Sequence, residues 1–158
     1  MPNIIRLTYQ LYPGMSKQEA INELVSTNMK SQYYGLALSE ADTRQIIVTR
    51  EEVLKNLGRV ELGMEVTSKL ITAFCESPYI SQLEYASTIC ELIEIFYYMK
   101  NETQDKIGDE ELIQIMKEYF DDRCFGSLQL LLDRECVKLI EKVRIEGYQS
   151  NIRDEDEV

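Results

Sequence analysis

Two acidic pairs carry the residue types and spacing best suited to chemistry. Glu91 and Glu94 form a Glu-x-x-Glu pair, and Glu118 and Asp121 form a Glu-x-x-Asp pair. Carboxylates three residues apart share one face of a helix. Hard divalent cations such as Mg²⁺ take oxygen ligands, commonly a few carboxylates completed by substrate phosphates. If the helices carrying the two pairs run antiparallel and face each other, the four carboxylates could hold one ion for phosphoryl chemistry. The same residues also fit a simpler reading, the solvated sides of two ordinary helices. Glu111, Gln114, Glu118 and Asp121 make a polar stripe opposite Leu112, Ile113, Met116 and Phe120, which is how a helix divides between water and core. Acidic pairs also arise readily in a chain with 28 Asp and Glu residues. The simpler reading is preferred, with no cofactor expected and Mg²⁺ the cofactor of the alternative.

The metal-binding arrangement resembles that of the all-α nucleoside triphosphate pyrophosphohydrolases, which hold Mg²⁺ between a Glu-rich helix and a Glu-x-x-Asp helix. The resemblance covers Glu91, Glu94, Glu118 and Asp121 alone. It departs from that family at Cys90, where a further Glu is expected, and no basic clamp for phosphates accompanies it.

Other nucleophile chemistry is thinly provided. Histidine is absent, which excludes Ser-His-Asp and Cys-His arrangements, His-ligated metals and imidazole acid–base work. Cys75, Cys90, Cys124 and Cys136 include no Cys-x-x-Cys pair, so a zinc ribbon or thioredoxin-like site is not expected. Cys124 precedes a helix start, a place that can activate a thiol. Asp121 and Asp122 oppose thiolate formation there, and no general base is evident, so it reads as a plain loop cysteine. Reduced thiols and the lack of a secretory pattern at the N-terminus point to a cytoplasmic protein. The net charge of −11 disfavours nucleic acid and anionic membrane surfaces, which are bound chiefly through cations. No apolar run reaches the roughly 18 residues of a membrane span.

The elements that must position these residues are helices. Gly35, Gly58, Gly63, Pro78, Gly108, Gly126 and Gly147 divide the chain into segments of helical periodicity. A capping box at Ser16–Glu19 opens the first helix, which Gly35 ends. The second begins near Ser39, with Glu40 and Asp42 at the positive end of its dipole, and closes at Gly58. A third covers 64–76, and a second capping box at Ser81–Glu84 opens a fourth that runs to about Lys100. A fifth covers 109–121 and a sixth 127–146. The fourth is apolar almost all round, with a narrow polar stripe through Glu84, Ser87, Glu91 and Glu94, and so belongs at the centre of the bundle. The expected fold is all-α, a single-domain bundle of five to six helices over residues 1–150. A short N-terminal strand or arm over 3–12 and a disordered acidic tail over 151–158 complete it.

Ten tyrosines and no tryptophan give a second signal, since tyrosine joins a large apolar ring to a hydroxyl and suits contact surfaces. Most should line helix contacts. Tyr33, Tyr34 and Tyr148 lie at helix ends and are the candidates for an exposed contact. The stretches GLALSE from Gly35, AFCESPYI from Ala73, FYYMKNET from Phe96 and MKEYFDDRCFGSLQLL from Met116 are similar to those of a family of uncharacterised bacterial proteins of about this length. That resemblance covers most of the chain and implies a bacterial origin, but no activity. The reading that remains is a non-catalytic protein-interaction or regulatory module, its partner another protein or a second copy. The alternative is the Mg²⁺-dependent phosphohydrolase.

Overall fold

A computed structural model describes residues 16–146. The expected N-terminal arm over 3–12 and the acidic tail over 151–158 lie outside the described residues. Helix α1 is Lys17–Ser26, capped by Ser16, whose hydroxyl accepts from the Glu19 amide at 3.2 Å. It continues through a single turn, Asn28–Ser31, and a 3₁₀ turn, Gln32–Tyr34, to Gly35 in the left-handed region. Asn28 locks the returning chain by donating to the Leu38 carbonyl and accepting from the Leu38 amide. Helix α2, Glu40–Asn56, opens with a complete capping box between Ser39 and Asp42. Its buried face is Thr43, Ile46, Ile47, Arg50 and Leu54.

Helix α3, Glu65–Phe74, buries Leu70, Ile71 and Phe74. Helix α4, Tyr85–Glu102, begins four residues after Ser81. The expected capping box there does not form: Ser81–Glu84 folds into a turn in which the Glu84 amide donates to the Ser81 carbonyl at 3.2 Å rather than to its hydroxyl, and the Gln82 side chain reaches across to the loop before α2. It brackets Ala37, accepting from its amide at 2.7 Å and donating to its carbonyl at 2.9 Å. Helix α5, Asp109–Glu118, runs on into a π-helical stretch, Tyr119–Arg123. Helix α6 joins Leu128–Leu130, a π-helical stretch Leu131–Cys136 and Val137–Glu146. No strand occurs among the described residues.

The all-α bundle of six helices is as the periodicity predicts. Helix α4 is its centre of burial: Ile89, Leu92, Ile93, Phe96, Tyr97 and Met99 are each almost wholly enclosed. Its exposed stripe is Ser87, Glu91, Glu94, Tyr98 and Asn101. Helix α4 packs chiefly on α2 and secondarily on α3, while α5 packs on α3. An edge-to-face contact of Phe74 with Phe120, 5.5 Å between ring centres, joins α3 to the end of α5. These side chains belong to one continuous apolar core.

Candidate interaction surface

Metal-assisted chemistry would need the two acidic pairs together. Glu91 and Glu94 are exposed on the wet stripe of α4. Glu118 is exposed on α5 and accepts from Gln114 at 3.0 Å. Asp121 is engaged on both oxygens, by Lys117 at 2.6 Å and by the Ser77 hydroxyl at 2.7 Å. Helix α5 lies mainly against α3, so its acidic side is not packed onto the stripe of α4. Among the described residues no three Cys, Asp or Glu side chains form a group that could hold a metal ion.

The thiols are equally closed. All four cysteines are free and buried, and burial pushes up the Cys75, Cys90 and Cys124 thiols and takes Cys136 to about 12. Buried thiols of this kind are shielded from reagents and are usually structural. An open cleft of about 290 Å³ is lined by Lys30, Lys69, Thr72, Ala73, Glu110 and Ile113. Its cations are already committed, Lys30 to Glu76 and the Thr72 carbonyl, Lys69 to Glu65 and Glu110. Among the described residues no free cation in the cleft awaits an anion.

Two buried polar clusters hold loops. Arg50 donates to the carbonyls of Glu61 and Gly63, at 2.9 and 2.7 Å, and Tyr97 donates to Glu61. Lys100, almost wholly buried, donates to the Ile107 carbonyl at 2.7 Å and pairs with Asp109 at 2.8 Å. Together they close the links between α2 and α3 and between α4 and α5, a structural role.

The surface offers something different. Tyr33 and Tyr34 stand at the end of the α1 extension, 81% and 49% exposed, and Tyr148 lies outside the described residues. A second aromatic site, absent from the sequence candidates, is built by the α3–α4 loop and the α5–α6 turn. Tyr79 and Phe125 meet edge to face, 6.5 Å between ring centres, and are 46% and 68% exposed. Ser77 fixes the first ring: its oxygen accepts from the Tyr79 amide at 3.2 Å while its proton goes to Asp121. Gly126 fixes the second. At φ +84° its α-carbon comes so close to Tyr79 that an added Cβ would stand 2.4 Å from the tyrosine Cβ.

Phe125 itself has φ 49°, the left-handed region. A bulky side chain there is strained, at roughly 1–3 kcal/mol. Its ring gains little burial in return. In folding terms the edge contact with Tyr79 is the return for an exposed phenylalanine at this position, whereas glycine or asparagine would relieve the turn. Sequence reasoning stopped at Cys124 in this turn, because only the packing of Gly126 on Tyr79 reveals the backbone of its neighbour.

Fold and surface define an all-α helical protein with an exposed aromatic site on its interhelical loops. The chain belongs to the family of unknown function DUF6323, whose model matches residues 23–149. No curated protein and no solved structure matches it.

Proposed function

We propose that this protein is a non-catalytic protein-interaction or regulatory module of the cytoplasm, which engages another protein or a second copy through the Tyr79–Phe125 surface. Exposed, strained Phe125 is the observation that carries the reading. Strain kept at a surface aromatic is expected where a partner buries the ring, since buried aromatics anchor interfaces. Four free thiols agree with a reducing compartment. Among the described residues no helix is long and apolar enough to cross a membrane.

The test places a photo-crosslinking phenylalanine analogue at position 125 and, as a control, at exposed Glu51 on α2. In cells that make the protein, position 125 should give a discrete crosslink to another protein chain and position 51 none. Equal labelling at both positions, or none at 125, overturns the reading. A companion variant, Phe125→Asn, should lose the contact while its unfolding free energy stays within about 1 kcal/mol of the parent. Relief of the left-handed strain and loss of the Tyr79 edge contact are of similar size and opposite sign.

A further inference from the structure

Three cations beside the aromatic pair share one carboxylate. Arg123 donates to Glu135 at 3.1 Å and Arg134 at 2.7 Å, while Lys138 stands 3.8 Å away without a hydrogen bond. Among the described residues Glu135 is the one carboxylate within pairing distance of any of the three. It is only 3% exposed, whereas the cations are 42% to 67% exposed. The charge this group turns to solvent is therefore positive. A guanidinium has more N–H donors than these contacts use, so Arg123, Arg134 and Lys138 all keep donors that the described residues do not fill.

The cluster is joined to the aromatic site. Arg123 lies two residues before Phe125, at the start of the same turn, with its guanidinium over the Tyr119 ring. Arg134 is tied to it by donating to the Arg123 carbonyl at 2.7 Å. Acids on the Tyr79 side do not offset the excess, since Glu76 is held by Lys30 and Asp121 by Lys117. Asp122 and Asp133, exposed neighbours in sequence, pair with none of the three cations and temper the excess without filling those donors. The whole-chain charge of −11 opposes a long polyanion such as nucleic acid. At physiological salt, screening over about 8 Å leaves the local excess to act on a ligand of low charge.

From this arrangement we infer that the occupant of the Tyr79–Phe125 surface is a short acidic segment of another protein, which sets one or two carboxylates on Arg123, Arg134 and Lys138 beside an apolar anchor. The inference rests on the interaction reading above and adds the partner's chemistry to it. Arginine forks suit carboxylates in particular, because both oxygens can be met at once.

Three synthetic peptides of equal length, sharing one Leu-Trp-Leu anchor flanked by a pair of glutamates, glutamines or arginines, provide the test. Each is titrated into the ¹⁵N-labelled full chain at physiological salt and followed by NMR. The glutamate peptide should move the Phe125 amide and the Nε–H signals of Arg123 and Arg134 together. Lys138→Gln should weaken that binding about threefold, one exposed attraction being lost. Lys142→Gln, one turn further along α6 and also exposed, removes the same charge and should leave binding within about 1.5-fold of the parent. Both variants keep the two hydrogen bonds of Glu135, so the fold is unchanged. If the glutamine or arginine peptide binds as tightly, or Lys142→Gln weakens binding as much as Lys138→Gln, the interaction reading stands and the acidic partner is overturned. Two other occupants have their own outcomes. Changing Asp154, Glu155, Asp156 and Glu157 to their amides in the full chain should leave the glutamate peptide's affinity unaltered. A gain of about tenfold would assign the cluster to that run of the chain itself and overturn a foreign partner. A dimer of the parent in sedimentation that Phe125→Asn abolishes would do the same in favour of a second copy. If no peptide moves these signals, the inference fails, and the crosslink at position 125 decides the broader reading separately.

Discussion

Gly126 is the residue on which the aromatic site depends most directly. Its φ of +84° and the 2.4 Å approach that a Cβ would make to Tyr79 are separate penalties for any other residue. Left-handed strain contributes about 1–2 kcal/mol and forced displacement of a packed neighbour about 1–3 kcal/mol. Gly126→Ala should therefore lower the unfolding free energy by about 2–5 kcal/mol in denaturant melts and displace the Tyr79 ring. A change below about 0.5 kcal/mol would mean that the turn adapts freely and that Tyr79 is not held by it. The sequence announces a turn at Gly126, since glycine between two helical patterns seldom means anything else. It does not announce Phe125, because a left-handed backbone at a bulky residue arises from tertiary contact and has no compositional mark. The acidic pairs show the converse. Spacing places Glu91 with Glu94 on one face, but only helix packing shows that Asp121 serves Lys117 and Ser77 instead.

Among elements, helix positions were legible wherever periodicity and caps agreed. Ser16 and Ser39 both cap, whereas Ser81–Glu84 has a similar pattern and folds as a turn, with the Glu84 amide on the Ser81 carbonyl and Gln82 bonded to Ala37. The two π-helical stretches were not legible, since a wider turn leaves the local apolar spacing almost unchanged. They touch each other, and buried Glu135 is the link: Arg123 from the first stretch and Arg134 from the second both donate to it, at 3.1 and 2.7 Å. Burial alone would push its carboxyl up, yet the Arg134 and Arg123 hydrogen bonds outweigh this and hold it below the usual carboxylate range. A carboxyl lowered on folding contributes stability above its unfolded value and loses it as pH falls through the folded one. Glu135→Gln should thus be less stable than the parent by about 1–2 kcal/mol near pH 7, hydrogen bonds to charge being involved and both arginines partly exposed. The gap should close as pH falls toward 3 in urea melts. A gap that stays constant with pH would show that the link works by shape rather than by charge.

At the scale of the molecule, the central place of α4 was legible because an almost uniformly apolar helix has few other options. The consequence of the charge imbalance is less obvious. Most basic side chains near the core ends are paired, Arg59 with Asp105, Lys69 with Glu65 and Glu110, Lys100 with Asp109 and Arg144 with Glu102. Carboxylates still outnumber the cations, which leaves the charge of −11. Two effects of salt then compete. Screening weakens the exposed ion pairs, which contribute at most about 1 kcal/mol each and often nothing. It also relieves repulsion among the surplus acids, which acts against the compact state as a whole. The second should win, so raising NaCl from about 20 to about 300 mM, where the Debye length shrinks from about 20 to about 6 Å, should raise the melting temperature. Mg²⁺ at matched ionic strength should add nothing in the parent or in Glu94→Gln, because a gain beyond screening requires a site that binds the folded chain selectively. A further rise with Mg²⁺ that Glu94→Gln abolishes would instead show that the α4 stripe gathers a cation, and would favour the phosphohydrolase reading.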